Sequence, residues 1–535
     1  MNRTVRTLLG LLTIGLVALT SCKKENQEPK QNEGTTYVNV AISIPTATGL
    51  RANEGKDDEN EYNPKGKWNG KDAIEDITVY VVDKNSVSWD GYTKDDFTIE
   101  SASQNPDPNN KAITIKPNKA ILTTPGNKKV YVVINAPQAI KDYLNKAIPN
   151  EFEKAYATAV SVITAKEATK SVSGNDVILM TNATEPAEQT IEDNVTQEQA
   201  KNGVKNQVQV QVQRAVARVI LTTTKPEYEI VRADGVKLGK IKNITYAVAQ
   251  GEKNFYLTQK RFGSGVVSTL GYNFIPKTDN SGVLRANVYP DMEKFYDYSD
   301  LVETAQAGNE RKALVAANLN DALAIGEKSL ESSAFIFENT HKYGAYDIMN
   351  YKGGYRRANT AYVLVRATFV PENDAFADKG KFTTQYQEGE TFYIGENGAL
   401  YRSALNVVDD KSSDAGGVKD QKYSEYTNGK VLYYAIVNPD NTERPLNAPA
   451  YRNNIYHISV KGFKKIGVNW NPLFPEDPNT TDPKKNPDPK PNNPNEPVPP
   501  IKPEDNLSPK ETYMSVDVSV IPWNVHTYDI ELTIP

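Results

Sequence analysis

The chain is expected to be dominated by β-structure, folded as antiparallel sandwiches joined end to end. Three observations point there. Apolar residues recur at every second position in many short runs, the period of a strand with one buried face. Long loops rich in Asn, Asp, Gly and Lys separate these runs, notably 278–300 and 408–424, and long helices are few. Tyr is abundant, with 30 residues against 14 Phe and 4 Trp, and its ring packs on a sheet while its hydroxyl stays wet. At 535 residues the chain has room for two or three domains with substantial cores. Lys plus Arg number 62 against 67 Asp plus Glu, and no basic stripe stands out, so nucleic acid is not an expected partner.

The first 21 residues read as a signal peptide. Arg3 and Arg6 precede a short apolar stretch, Leu8 to Leu19, which leads into Leu19-Thr20-Ser21-Cys22. This resembles a bacterial lipobox, with cleavage before Cys22 and a lipid on its thiol. Cys22 is the only cysteine. Once modified it leaves no free thiol, so no disulfide, cysteine nucleophile or thiolate metal site is expected.

Residues 22–51 then read as a propeptide holding a lipid tether and a strand. The strand, Val38-Asn39-Val40-Ala41-Ile42-Ser43-Ile44-Pro45, puts Val38, Val40, Ile42 and Ile44 on one face. Arg51 follows, and residues 52–72 are polar, aperiodic and suited to a protease. A first domain is expected over 73–224. Its strands include Ile77–Val82, Val130–Ile134 and one long run, Gln207 to Leu221. Helical spacing marks 138–172 through Ile140, Leu144, Phe152, Tyr156, Val160 and Ile163, broken at Pro149. A second domain is expected over 225–471, with strands at Ile244–Val248, Ala361–Val370, Val431–Val437 and Ile455–Val460.

Residues 472–509 hold 13 prolines in 38 positions. Such a segment is expected to be a stiff polyproline-like linker, reaching roughly 118 Å if fully extended at about 3.1 Å per residue. Two strands follow within 510–535. One alternates Met514, Val516, Val518 and Val520. The other, Tyr528-Asp529-Ile530-Glu531-Leu532-Thr533-Ile534-Pro535, repeats the pattern of the strand before Arg51, with Tyr528, Ile530, Leu532 and Ile534 on one face. Two strands written alike can fill the same groove, the second from another copy of the chain once the first is cut away.

Catalytic patterns are missing. The three histidines, His341, His457 and His526, lack ligand-like spacing, and His457 falls on the odd-numbered, polar side of its strand. Gly263-Ser264-Gly265 is too short for a nucleophile elbow, and Gly66 to Asp72 fails as a phosphate loop. Asp409, Asp410 and Asp414 read as an exposed acidic loop without calcium-loop spacing. An enzyme is not expected, and neither is a cofactor or a metal.

Several stretches carry a family likeness: Gln213-Arg214-Ala215-Val216-Ala217-Arg218, Tyr451-Arg452-Asn453-Asn454-Ile455-Tyr456, Tyr513-Met514-Ser515-Val516-Asp517-Val518 on to Pro522-Trp523, and Tyr528-Asp529-Ile530-Glu531. With the lipobox, the early Arg and the Pro-rich segment in the same order, the chain resembles the fimbrillin family of Bacteroidales type V pili, most of all the shaft subunits of the short fimbriae of Porphyromonas. The resemblance implies two transthyretin-like β-sandwich domains and export as a lipoprotein anchored to the outer membrane. It implies cleavage by an Arg-specific protease, here between Arg51 and Ala52, and polymerisation by donor-strand exchange at the cell surface. Val38, Val40, Ile42 and Ile44 would form the displaced strand, and Tyr528, Ile530, Leu532 and Ile534 the donor strand. Implied partners are other copies of the chain, tip and anchor proteins, the protease, and receptors on host or bacterial surfaces. The alternatives are an anchor or tip component, or a monomeric glycan-binding surface lipoprotein.

Overall fold

The computed structural model describes residues 34–44, 73–100, 113–160, 162–173, 175–262, 265–266, 294–316, 332–341, 354–439, 448–474, 487–497, 505, 507 and 514–522. Strands dominate these residues, and the three largest sheets make up two bodies.

The first body is a ten-stranded sheet. Its path runs from Val87–Thr93 through Asp76–Val82, Gly126–Ile134, Met180–Asn182, Gln207–Arg214, Thr36–Ile44 and Ile113–Pro117 to Phe97–Glu100. Residues from distant parts of that path share one core: Ile77, Val79 and Val132 pack with Val38, Ile42, Ile115 and Val210. The sheet therefore folds over on itself, which buries its apolar face without a second element. Val130 to Ile134 are buried on both faces. Their outward side, with Tyr80 and Val82, is covered by the helices Gln138–Asn145 and Pro149–Ala157, which contribute Ile140, Leu144, Phe152 and Tyr156. Pro149 opens the second helix at a position where its missing N–H costs nothing. The expected helical spacing overruns here. The helix ends at Ala157, Thr158 is extended, and Val160 lies in the short strand Ala159–Val160 paired with Phe255–Tyr256. The β-branched run Thr158, Val160, Val162, Ile163 resists continuation of a helix.

The expected long strand from Gln207 to Leu221 is two strands in two sheets. Gln207–Arg214 belongs to the first body and Ala217–Thr223 to the second. The buried parity flips with the change of sheet, from Val208, Val210 and Val212 to Ala217, Val219 and Leu221. The chain thus crosses between sheets at Ala215-Val216, ahead of the expected boundary at 224.

In the second body, Ala217–Thr223 pairs in parallel with Asn454–Phe463, which carries Met514–Pro522 on its other side. A facing antiparallel sheet holds Tyr228–Val231, Lys237–Ala249, Tyr362–Pro371 and Lys430–Ile436. The core between them includes Val219, Tyr246, Val365, Phe369, Tyr433 and Ile458.

The Pro-rich segment does not behave as a free spacer where it is described. Asp488 is buried, and its carboxylate accepts from Arg366 Nε at 3.0 Å and Lys430 Nζ at 3.0 Å. Its carbonyl accepts from Asn471 N–H at 3.1 Å, and Tyr423 N–H donates to Asn495 O at 3.0 Å. Glu496 accepts from Ser424 Oγ at 2.7 Å and Asn469 Nδ2 at 2.6 Å. Leu507 packs with Tyr355 and Ala448. Polar anchors thus hold the described part of a segment too poor in apolar residues to bury itself.

Candidate functional site: a strand slot in the first sheet

The Thr36–Ile44 strand lies inside the sheet, not at its edge. On one side it pairs in parallel with Gln207–Arg214, Val40 opposite Val208 and Ile42 opposite Val210. On the other it pairs antiparallel with Ile113–Pro117, Ile42 opposite Ile115, and with Ile121–Thr123, Val38 opposite Ile121. Val38, Val40, Ile42 and Ile44 are all at most 2% exposed and sit in the first core. At about 1.5–3 kcal/mol for each buried side chain, the four contribute roughly 6–12 kcal/mol. Taking the strand away would leave an apolar trough bordered by two unpaired strand edges.

One end of this slot is polar. Thr36 is fully buried. Its hydroxyl donates to Glu192 O at 2.6 Å and accepts from Val195 N–H at 3.1 Å. Asn206, held at φ +51°, accepts from Glu192 N–H at 2.8 Å. Its Nδ2 lies 2.9 Å from Glu192 O, 3.0 Å from Tyr37 O and 3.2 Å from Thr36 Oγ1. Tyr37 N–H donates to Val195 O at 3.1 Å, and Asn39 N–H to Asn206 O at 3.0 Å. Gly34 passes so close to Thr123 that a Cβ there would lie 1.9 Å from its carbonyl oxygen. Sequence reading missed Asn206 and Thr36. The available signal was an Asn just ahead of a strand, a residue type that tolerates positive φ.

The outward face of the strand is not uniformly solvated. Asn39 is buried beside the helix Gln197–Lys201 and reaches Lys201 O at 3.5 Å, whereas Ala41 and Ser43 are half-buried. Cys22, Arg51, Ala52, Tyr528, Ile530, Leu532 and Ile534 lie outside the described residues. The other C-terminal strand, Met514–Pro522, pairs in the same chain with Asn454–Phe463, from Met514 opposite Phe463 to Pro522 opposite Asn454.

Two of the sequence motifs meet where the sheets join. Arg214 Nη1 donates to Asn453 Oδ1 at 3.1 Å, and Asn453 N–H to Val216 O at 2.9 Å. Arg218 forms a buried ion pair with Asp176. Arg452 pairs with Glu338 at 2.7 Å and also donates to the carbonyls of Tyr256 and Leu257. These guanidiniums reach partners far away in sequence, so the motifs work as a clasp between the two bodies.

Of the histidines, His341 and His457 are described, and His341 is buried with Nε2 2.6 Å from Asn359 O. His457 is buried, not solvated as its strand position implied, with Nε2 2.9 Å from Thr222 Oγ1. Burial pushes its pKa down to about 4, and that of His341 likewise. Burial also raises Glu252 well above the carboxylate range. Among the described residues, no three acidic, His or Cys side chains gather as a metal site. Asp409 caps its own turn, accepting from Lys411 and Ser412 N–H.

Known proteins resemble the chain in sequence. Residues 424–529 match the family described as major fimbrial subunit protein type IV, fimbrillin, C-terminal. That stretch contains the Lys430–Ile436, Asn454–Phe463 and Met514–Pro522 strands. A minor fimbrium subunit Mfa1 of Porphyromonas gingivalis is 30% identical over 545 residues, covering 98% of both chains, and a second Mfa1 from that organism is 29% identical with the same coverage. A crystal structure of the fimbrilin FimA from P. gingivalis aligns over 92% of this chain and 99% of its own, at 12% identity and a TM-score of 0.37. With nearly a third of its residues identical to Mfa1 from end to end, the chain belongs to the fimbrillin family of fimbrial subunits of the cell surface.

Proposed function

We propose that this fimbrial subunit is a shaft subunit, exported as a lipoprotein on Cys22, matured by cleavage between Arg51 and Ala52, and polymerised when the Tyr528–Pro535 strand of one copy fills the slot of the next. The observation that carries this reading is the place of the Thr36–Ile44 strand. It is a central strand of its sheet, yet it lies on the side of Arg51 that cleavage would detach. A strand cut from a sheet's middle leaves a defect only another strand can heal, with main-chain pairing for affinity and side-chain pockets for specificity. The contact is head-to-tail, so it repeats without closing and gives a filament.

Tip and anchor proteins, an Arg-specific protease and receptors on host or bacterial surfaces are the partners this role requires. The other readings differ in outcome. An anchor keeps its lipid and is not cleaved, a tip protein offers no free donor strand, and a monomeric glycan-binding lipoprotein gives no ladder of oligomers. The deciding experiment is N-terminal sequencing of sheared surface fibres, with Arg51→Ala alongside. Fibres beginning at Ala52, and unpolymerised lipidated precursor in the variant, are expected. Abundant fibres from Arg51→Ala would sink the proposal.

A further inference from the structure

Alternation alone does not set a strand's position in the slot. A one-residue slip turns every apolar side chain outward, but a two-residue slip keeps them all inward. Something else must choose among the permitted registers. We infer that the polar bracket formed by Glu192, Val195 and Asn206 fixes the register of whichever strand occupies the slot, and that His526 of a second copy takes the place of Thr36. The inference rests on the strand-exchange reading and goes beyond it, to the residues that determine how the strand is seated.

The bracket demands one side chain that both donates and accepts. Thr36 does so, giving its hydroxyl proton to Glu192 O and taking Val195 N–H. When Val38 is replaced by Tyr528, Val40 by Ile530, Ile42 by Leu532 and Ile44 by Ile534, the residue falling on Thr36 is His526. A neutral imidazole also carries one donor and one acceptor. It needs more room than a hydroxyl, and the wall it meets, residues 192–195, is a turn with Asn194 at φ +57°, outside any helix or strand.

The two slipped registers fail at this end. A slip one way puts Tyr528 on Thr36, forcing a phenol ring into a fully buried polar niche. A slip the other way puts His526 on Val38, an unpaired imidazole inside the apolar core. The second slip also carries Asn524, itself a donor and an acceptor, to the bracket, so what excludes it is the imidazole displaced into the core.

Disulfide trapping reads the register directly. The chain has one native cysteine, Cys22, which a subunit beginning at Ala52 lacks. In the parallel ladder Ser43 stands opposite Gln211 and Ala41 opposite Gln209. In the inferred register Thr533→Cys therefore bridges Gln211→Cys of the next subunit. The slipped registers bring it to Gln209→Cys or Gln213→Cys instead. Neighbours one dyad off are too far apart to bridge without backbone movement.

The expected result is crosslinked ladders with Gln211→Cys and loss of crosslinking with the other two. His526→Leu should let slipped disulfides rise to match the in-register one, and His526→Thr should restore the single register. Asn206→Leu on the receiving subunit should act as His526→Leu does. The donor-side variants keep the test valid if Asn206→Leu does not fold. Equal crosslinking at Gln209 or Gln213 in the unaltered strand, or a single register retained in His526→Leu, would overturn the bracket. If subunits that carry the cysteine pairs and keep His526 form no ladder and no disulfide at any position, the strand-exchange reading itself fails.

Discussion

Consider a subunit produced from Ala52 onward, with no Thr36–Ile44 strand and no neighbour to supply one. It loses four side chains that are nearly inaccessible in the complete chain, roughly 6–12 kcal/mol of apolar burial. It also loses ladder bonds to Gln207–Arg214, Ile113–Pro117 and Ile121–Thr123, each contributing about 0.5–1.5 kcal/mol. A whole domain is stable by only about 5–15 kcal/mol. The first sheet should therefore open locally or unfold, while the second body, which shares no strand with the slot, keeps its stability. Hydrogen exchange followed peptide by peptide separates the two. Protection should collapse over 113–117 and 207–214 and persist over 362–371 and 430–436. A soluble peptide of residues 36–46 should restore it by mass action, about 2.7 kcal/mol at a hundredfold excess over its dissociation constant. Unchanged protection of 207–214 without strand or peptide would refute the claim that the strand is integral to the first core.

Three other perturbations probe different layers. Ile530→Asp and Leu532→Asp should each block ladder formation by burying an unpaired charge, whereas Thr533→Asp should be better tolerated, because its counterpart Ser43 is half-buried and away from the covered position of Asn39; equal damage on gel-resolved ladders from both faces would contradict the shared slot. Asp488→Ala should cost about 3–5 kcal/mol and expose the Pro-rich segment to proteolysis, since it leaves the buried Arg366 without its carboxylate. Burial works to raise the Asp488 pKa, but Arg366 and Lys430 hold it below its usual value, so its contribution is present above the unfolded carboxylate pKa and fades as pH falls toward the folded one; an unchanged melting temperature in Asp488→Ala would show the anchor to be idle. His341 and His457 have folded pKa values near 4 against 6.5 when unfolded. Below pH 6.5 the unfolded chain binds the extra protons, so each histidine should cost about 1.4 kcal/mol of stability per pH unit down to about pH 4. His457→Gln should flatten that slope in urea titrations, and an identical slope would rule His457 out as its source.

Much of the slot was legible before any coordinates. The alternation of Val38, Val40, Ile42 and Ile44 has the period of a half-buried strand, and the structure buries all four. The later strands at 362–371, 430–436 and 454–463 were visible instead as short runs rich in β-branched and aromatic residues, and most of their residues are buried on both faces. Local patterns succeed where burial is one-sided, because periodicity then records the face. They fail where partners change. The run from Gln207 to Leu221 looks continuous, since neither half states which sheet it joins. Only the inward parity flip at Ala215-Val216 betrays the crossing.

By itself the sequence determined that this is a chain of β-sheets with a strand on the near side of Arg51, and it repeats that alternating pattern at 528–535. Those are properties of neighbouring residues, written in alternation and turn chemistry. The tertiary structure decided that the early strand is central and runs parallel to Gln207–Arg214, more than 160 residues away. It decided too that Asp488 pins the Pro-rich segment to Arg366 and Lys430, and that Asn206 reaches across to Thr36. Each depends on partners distant along the chain. Hydrogen-bond and ion-pair energies depend on the position and dehydration of both members at once, which no local period can encode.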